Sequence, residues 1–157
     1  MKVRELMTSV VRTCRPETSL EEAKENMWAG DCGALPVVNH EGLVTGVITE
    51  WEIFIAVASK GRCARRIAVR EVAQGQPHTC QPDDDAAAAL ETMTWHQVRR
   101  LPVVDAEGHV RGMLSLNDVV AHAGAATPTE LASTLASIRA YLRASSAGRE
   151  NRGLVKP

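Results

Sequence analysis

Leu35-Pro36-Val37-Val38 returns 66 residues later as Leu101-Pro102-Val103-Val104, and at this offset the two halves of the chain align without a gap. An internal repeat predicts two like units, each of which buries its apolar face against the other. Two units related by a pseudo-two-fold axis form two like clefts, so the sequence predicts a pair of sites. Further identities at the same offset join Val3-Arg4-Glu5 to Val69-Arg70-Glu71, Thr13-Cys14 to Thr79-Cys80, Pro16 to Pro82, Glu41-Gly42 to Glu107-Gly108, and Gly46 to Gly112.

The composition bounds the class of protein. The chain has 157 residues, of which 45% are hydrophobic and 3% aromatic. This fits one compact domain or two small ones with a largely aliphatic core. The formal net charge of −1 argues against non-specific nucleic-acid binding, which requires a basic face. No apolar run approaches the roughly 20 residues of a membrane span, and the N-terminal residues lack the apolar stretch of a signal peptide. We therefore expect a cytoplasmic protein without nucleic-acid or membrane partners.

The four cysteines, Cys14, Cys32, Cys63 and Cys80, form no C-x-x-C motif and fit no zinc or redox spacing. Cys14 and Cys80 occupy equivalent repeat positions, and we expect them to be small buried hydrophobic residues in a reducing compartment. A redox-sensing role for Cys32 or Cys63 stays open. The five histidines are scattered without an i, i+4 pair, so we expect no metal site.

Periodicity predicts the order β-α-β-β-α in each unit, with a parallel first crossover and an antiparallel hairpin. Ser19-x-x-Glu22 predicts a capping box, the Asp83–Asp85 run predicts a second helix cap, and Gly42 suits a positive φ in a turn. Leu20, Ala23 and Met27, and again Ala86, Ala89 and Met93, are expected to form the buried helix faces. The predicted elements are strands Val10 to Cys14, Ala34 to Val38, Leu43 to Thr49, His78 to Cys80, Arg100 to Val104 and Val110 to Ser115, with the closing helices Glu50 to Ser59 and Leu116 to Ala123.

The predicted domain organisation is an α+β fold of two pseudo-symmetric repeats packed as one module, followed by a C-terminal helix. Its divisions are repeat one over residues 1–60, a basic linker over 61–66, repeat two over 67–123, a helix over 127–144 and a polar tail over 145–157. Within the last helix, a stripe of Leu131, Leu135, Ile138 and Leu142 is typical of packing on its own domain, or of a dimer contact.

With the repeats aligned, the chain resembles tandem CBS-domain proteins, a family named for the regulatory domain of cystathionine β-synthase. It is most similar in kind to small stand-alone bacterial members, some of them associated with hypoxia or stress. The resemblance covers residues 1 to about 123. The motifs that carry it are Val3-Arg4-Glu5-Leu6-Met7-Thr8, Gly33-Ala34-Leu35-Pro36-Val37-Val38, Gly46-Val47-Ile48-Thr49-Glu50-Trp51-Glu52-Ile53, His96-Gln97-Val98-Arg99-Arg100-Leu101-Pro102-Val103-Val104-Asp105 and Gly112-Met113-Leu114-Ser115-Leu116-Asn117-Asp118-Val119.

The resemblance implies a regulatory module rather than an enzyme. It implies that the clefts bind an adenosine-containing ligand such as AMP, ATP, NAD or S-adenosylmethionine, and that modules pair into a flat homodimer. It implies no catalytic cofactor, the adenine nucleotide being a regulatory ligand.

Two motifs in the sequence combine a hydroxyl with an acid three residues later, Thr49-x-x-Glu52 and Ser115-x-x-Asp118. A hydroxyl at a helix N-terminus suits a phosphate, and a carboxylate one turn later can accept both ribose hydroxyls. The same spacing is also that of a capping box, in which the two side chains satisfy the helix itself. Spacing alone leaves both interpretations open. Aspartate is shorter than glutamate, so we expect Ser115 and Asp118 to be the poorer cap, and the resemblance favours them as ligand contacts.

Carried over from the family, each cleft joins this motif from one repeat to the early strand of the other. One cleft is expected to hold Ser115 and Asp118 with Val10, Val11, Thr13, Gly33 and Ala34. The other is expected to hold Thr49 and Glu52 with Pro77, His78, Thr79, Arg99 and Arg100. The two arginines suit a phosphate, because a guanidinium can donate two hydrogen bonds to it. The alternative, to which we give nearly equal weight, is that they are solvent-exposed residues at the start of a strand.

The two clefts are expected to differ. The common family pattern T-D-R-D-I stands here as Thr49-Glu50-Trp51-Glu52-Ile53, which lengthens both acids and replaces the arginine. We therefore expect the Asp118 cleft to be the more competent one for adenosine.

No catalytic constellation accompanies these motifs. His78 and Cys80 share a strand face, but no third group orients them. The sequence contains no P-loop, G-x-S-x-G or H-E-x-x-H. The leading hypothesis is thus a nucleotide-binding regulatory module with an unidentified protein partner. The alternative is a ligand-free, stress-associated dimeric interaction protein whose two motifs are only helix caps.

Overall fold

The computed structural model describes residues 1–123, 132, 135–136 and 138–144. The predicted tail over 145–157 and most of 124–134 lie outside the described residues. The elements are α1 (Val3–Leu6), α2 (Leu20–Ala29), β1 (Ala34–Val38), β2 (Val44–Thr49), α3 (Glu50–Lys60), two 3-10 turns (Ala64–Arg66 and Val69–Glu71), α4 (Ala86–His96), β3 (Arg100–Val104), β4 (Val110–Ser115) and α5 (Leu116–Ala123). None of the described helices combines the length and hydropathy needed to cross a bilayer.

Each repeat is built around an antiparallel hairpin, as predicted. β1 pairs with β2 so that Leu35 lies opposite Ile48, and β3 pairs with β4 so that Leu101 lies opposite Leu114. The turns need glycine, because Gly42 and Gly108 have φ values of +83° and +93°. The predicted positive φ at Gly42 is confirmed.

The two predicted early strands are shorter than expected. Cys14 forms a single parallel bridge with Val37, and Cys80 forms the equivalent bridge with Val103. The parallel direction is confirmed, but the extents Val10 to Cys14 and His78 to Cys80 are wrong. Val10 is 93% exposed, so the chain reaches the hairpin only at the cysteine.

The repeats exchange their first segments. Val3 and Leu6 of α1 are buried in the core of the second repeat, whereas Ile67 and Val69 are buried in the core of the first. The Val3 amide donates to the Asp84 carbonyl at 2.9 Å, which fixes the exchanged helix beside the start of α4. Each apolar core is therefore completed by residues from the other half of the sequence.

The predicted buried helix faces are confirmed. Leu20, Ala23 and Met27 are fully buried on α2, and Ala86, Ala89 and Met93 are buried on α4. In the described part of the C-terminal segment, Ile138 packs against the second core, but Leu135 and Leu142 are exposed. Among the described residues of this segment, Tyr141 is the buried one. In that described part, the packed face therefore runs through Ile138 and Tyr141 and leaves out Leu135 and Leu142, while Leu131 lies outside the described residues.

Two cap predictions are only partly right. Ser19 caps α2, since its Oγ accepts from the Glu22 amide at 3.2 Å, but among the described contacts Glu22 returns no bond. Asp85 is the N-cap residue of α4 without a side-chain cap bond. Its carboxylate binds Lys2 Nζ at 2.9 Å instead, because the exchanged N-terminal segment brings that cation alongside.

Candidate functional site

The Ser115-x-x-Asp118 motif lies where β4 passes into α5. Asp118 Oδ2 accepts from the Ser115 amide at 2.8 Å and from its Oγ at 2.7 Å. In return, the Asp118 amide donates to Ser115 Oγ at 3.1 Å. This is a complete capping box, and it satisfies backbone donors that the first turn of a helix leaves unpaired.

The equivalent motif in the first repeat, where β2 passes into α3, has the same geometry. Glu52 Oε2 accepts from the Thr49 amide and Oγ1, both at 2.8 Å, and the Glu52 amide donates to Thr49 Oγ1 at 3.2 Å. The expectation that aspartate would cap less well is therefore wrong. A single carboxylate oxygen receives both bonds, so the shorter side chain still reaches. In both motifs, no described residue donates to the other carboxylate oxygen.

A cavity of about 440 Å³, which we call the Asp118 cavity, lies beside the second motif. Its walls come from both repeats: the end of β4 and the start of α5, the chain entering the first repeat, and the loop between α2 and β1. A volume of this size is typical of sites for small molecules. The residues lining it are Thr8, Val10, Val11, Arg12, Gly30, Asp31, Cys32, Gly33, Ala34, Pro36, Arg100, Met113, Ser115 and Asp118.

The Asp118 cavity gathers most of the residues expected for the first cleft. Six of those seven line it: Val10, Val11, Gly33, Ala34, Ser115 and Asp118. Thr13 is not among the lining residues. Arg100 lines the cavity as well, although the family pattern assigned it to the other cleft. Arg100 lies directly opposite Ser115 in the hairpin, and opposed residues place their side chains on the same face.

The candidates for the second cleft are placed differently. Thr49 and Glu52 are closed on each other, as described above. The His78 ring stacks on His96, with centroids 3.5 Å apart, and partial burial together with the neighbouring imidazole lowers the pKa of His78. Arg99 is exposed, and its carbonyl accepts from the Leu116 amide at 2.9 Å. Pro77 and Thr79 are half-buried, and none of these residues lines the Asp118 cavity.

Sequence reasoning missed several lining residues. Arg12, Gly30, Asp31 and Cys32 carry no recognisable motif. Arg12 reaches the cavity from the chain that enters the first repeat, and the other three lie in the loop between α2 and β1. One signal was available, since the 66-residue offset pairs Asp31 with Gln97. Both have positive φ, +46° and +54°, and so both turn the chain out of a helix toward the hairpin.

One group of possible metal ligands lies in the β3–β4 turn. One donor atom each from Asp105, Glu107 and His109 lies within 4.8 Å of the others. Asp105 Oδ1 accepts from the His109 amide at 2.8 Å, and Oδ2 lies 2.8 Å from Arg111 Nη2. Desolvation opposes ionisation here, but these bonds hold the pKa of Asp105 below its ordinary value. The carboxylate is thus already engaged in folding the turn.

A protein-family model described as the CBS domain matches residues 3–59 and 69–124. The chain belongs to the CBS domain family. The two matched stretches make it a tandem CBS protein, and CBS pairs are regulatory modules that are generally not catalytic.

Curated relatives fall into two kinds. "CBS domain-containing protein YhcV" of Bacillus subtilis is 32% identical over 74% of this CBS chain and 81% of its own length. "Homoserine O-acetyltransferase" of Methanococcoides burtonii is 34% identical over 74% of this chain, but over only 23% of its own length. This chain therefore spans about a quarter of the acetyltransferases that it matches.

A solved structure with the same fold is the CBS domain pair of protein MJ0100 in complex with 5′-methylthioadenosine and S-adenosyl-L-methionine. Its TM-score is 0.73 at 22% identity, covering 80% of this chain and 97% of that one. At this level of identity the likeness concerns the fold.

Proposed function

We propose that this CBS pair is a non-enzymatic regulatory module that binds an adenosine-containing ligand in the Asp118 cavity and signals occupancy through a change of shape. The ligand class comprises AMP, ATP, NAD and S-adenosylmethionine. A cytoplasmic homodimer acting on a protein partner is part of the same proposal.

The observation that carries this proposal is the position of Asp118 at an open cavity. The capping box uses one carboxylate oxygen, and no described residue donates to Oδ1. A ribose hydroxyl donating to Oδ1 would therefore leave the helix cap intact. Val10, Val11 and Ala34 supply apolar surface for an adenine ring, while the start of α5 supplies the partial positive charge of a helix N-terminus.

The walls of the cavity suggest how occupancy becomes a signal. They come from both repeats and from the exchanged N-terminal segment, where Thr8 bridges to Met113. A ligand that favours one arrangement of these parts shifts the population toward it. A coupling free energy of about 1–3 kcal/mol is typical of such linkage. The ligands of the MJ0100 pair, both adenosine derivatives, support the chemical class.

The test is isothermal titration calorimetry of the full chain against AMP, ATP, NAD and S-adenosylmethionine. We expect at least one to bind, and Asp118→Asn to weaken that binding because a neutral amide accepts ribose hydroxyls poorly. Asp85→Asn is the matched control, since Asp85 is also an acid at a helix start but lies outside the cavity. Binding that both variants weaken equally, or that neither weakens, contradicts the assignment of Asp118.

The second candidate function is a ligand-free interaction protein. Two observations favour it: both hydroxyl-acid motifs are closed as caps, and large apolar side chains lie exposed on the helices. Trp28 and Trp95 are 84% and 87% exposed, and Trp51 stacks on the exposed Phe54 with centroids 5.6 Å apart. Exposed patches of this kind are typical of protein contacts. Absence of heat with every nucleotide, together with a dimer in multi-angle light scattering, would favour this alternative.

A further inference from the structure

We infer that the Asp118 cavity selects nucleosides that carry a 5′-phosphate, and that Arg100 is the specificity-determining residue. This rests on the proposed function and names the ligand class within it. The expected order of affinity places a nucleoside 5′-phosphate above the uncharged nucleoside, and the cationic S-adenosylmethionine below both.

The first support is the position of Arg100. It begins β3 directly opposite Ser115, so hydroxyl and guanidinium share one face of the hairpin. Arg100 is half-buried, lines the cavity, and makes no side-chain hydrogen bond or ion pair with any described residue. A partly desolvated cation without a partner is unfavourable, and an anionic ligand would relieve that cost.

The second support is the room that two glycines leave for arginines. A Cβ on Gly33 would lie 3.2 Å from Arg100 Nη2, and a Cβ on Gly30 would lie 2.9 Å from Arg12 Cδ. Gly30, the C-cap of α2, has an ordinary φ of −96°, so its small size rather than its backbone freedom matters here. The loop after α2 thus admits two arginine side chains to one cavity.

The third support is the charge around these arginines. Glu50 Oε2 would lie 3.3 Å from the same Gly33 Cβ, but its Oε1 pairs with Lys24. Of the acids that line the cavity, Asp118 already accepts two bonds through one oxygen, and Asp31 lies on the exposed loop. The guanidinium of Arg100 thus remains available for the fork geometry that suits a phosphate.

The two repeats differ at this position, which makes the inference specific to one cavity. At the 66-residue offset Arg100 corresponds to Ala34, which lies opposite Thr49. The side chain of Ala34 has no hydrogen-bond donor. The Thr49-x-x-Glu52 motif therefore has no cation at the position where the Ser115-x-x-Asp118 motif has Arg100. The predicted inequivalence of the clefts therefore acquires a structural reason.

The experiment is a two-by-two comparison by isothermal titration calorimetry on the full chain. AMP and adenosine are titrated into the wild-type protein and into Arg100→Gln, with inorganic phosphate and S-adenosylmethionine as further arms, the latter expected to bind more weakly than adenosine. Arg70→Gln is the charge-matched control, because Arg70 is exposed and does not line the cavity. We expect AMP to bind about tenfold or more tightly than adenosine, a preference that Arg100→Gln removes and Arg70→Gln retains. Rising salt should weaken AMP binding and leave adenosine binding unchanged.

Gly33→Ala gives a second route if Arg100→Gln does not fold, since the added methyl displaces the guanidinium without removing it. Because Gly33 itself lines the cavity, this variant should lower the affinity for AMP by a larger factor than it lowers the affinity for adenosine. Equal affinities for AMP and adenosine in the wild type, or a preference that survives Arg100→Gln, would overturn the inference while leaving the proposed function in place. Inorganic phosphate binding as tightly as AMP would also overturn it. Binding of no adenosine compound would overturn the proposed function, and this inference with it.

Discussion

Lys2 Nζ lies 2.9 Å from Asp85 Oδ1 and joins the first residues of the chain to the start of α4, more than eighty residues away in sequence. Both side chains remain largely exposed, so the pair is screened by solvent and fixes a position more than it adds stability. It is one of the contacts of the segment exchange that completes both cores.

Lys2→Met is expected to lower the melting temperature slightly, and only under conditions where both groups are charged. The Lys2 hydrogen bond lowers the pKa of Asp85, so this contribution is present above its ordinary value of 3.8 and is lost as the pH falls through the lower folded value. The bond to Asp85 raises the pKa of Lys2, so the contribution is also lost above that raised value. Differential scanning calorimetry of both proteins should show the difference at neutral pH and none in strong acid. A difference that persists in acid or at high salt would assign the effect to packing.

Ser115→Ala and Thr49→Ala are expected to destabilise the protein by similar amounts, because the two capping boxes have the same geometry. Loss of an N-cap hydroxyl costs about 0.5–2 kcal/mol in the free energy of unfolding. Urea denaturation without ligand measures both values, with Ser9→Ala, an exposed serine outside the described elements, as control. A cost for Thr49→Ala alone would mean that the Ser115 hydroxyl does not cap α5 in solution.

Gly112→Ala is expected to be far more damaging than Gly46→Ala, although the two positions are equivalent in the repeats. A Cβ at Gly112 would lie 2.7 Å from the Thr8 carbonyl oxygen and 2.9 Å from Met7 Sδ. At Gly46 the closest atom would be the Ala73 carbonyl oxygen at 3.5 Å, an ordinary contact. Overpacking against backbone typically costs about 1–3 kcal/mol.

Urea denaturation of both glycine variants tests this prediction. Equal stabilities would show that the segment around Thr8 does not pack on β4 as closely as the structure has it. That segment also lines the Asp118 cavity, so Gly112→Ala should alter nucleotide binding as well.

The buried cysteines are expected to resist alkylation. Burial raises the pKa of Cys14 and of Cys80 to about 12, so neither forms the reactive thiolate at neutral pH. Cys63 is exposed and should react first with iodoacetamide, as read by peptide mass spectrometry. Unfolding in urea should make all four cysteines react. Modification of Cys14 in the folded protein would contradict its place in the first core.

Several elements follow from local sequence, because their signals lie within a few residues. The period of Leu20, Ala23 and Met27 identified the buried face of α2, and Gly42 marked a turn that only a positive φ closes. The spacing of Thr49 and Glu52 allowed a capping box as one of two interpretations, and the structure forms that box, since a first helical turn brings these two side chains together wherever the helix lies. The acid run predicted the N-cap position of α4, which Asp85 occupies, but not that its side chain makes no cap bond, because its partner Lys2 comes from a distant segment.

The sequence of each repeat by itself determined the hairpin, the order of the helices and the presence of a hydroxyl-acid motif. Each of these features depends on residues that lie close together along the chain. Only the tertiary structure decided that the first segments exchange between repeats, that the Asp118 cavity stays open, and that Arg100 enters it. Strand pairing puts Arg100 and Ser115 on one face, but which cavity that face lines depends on how the two repeats pack, and packing is a long-range property that no local pattern encodes.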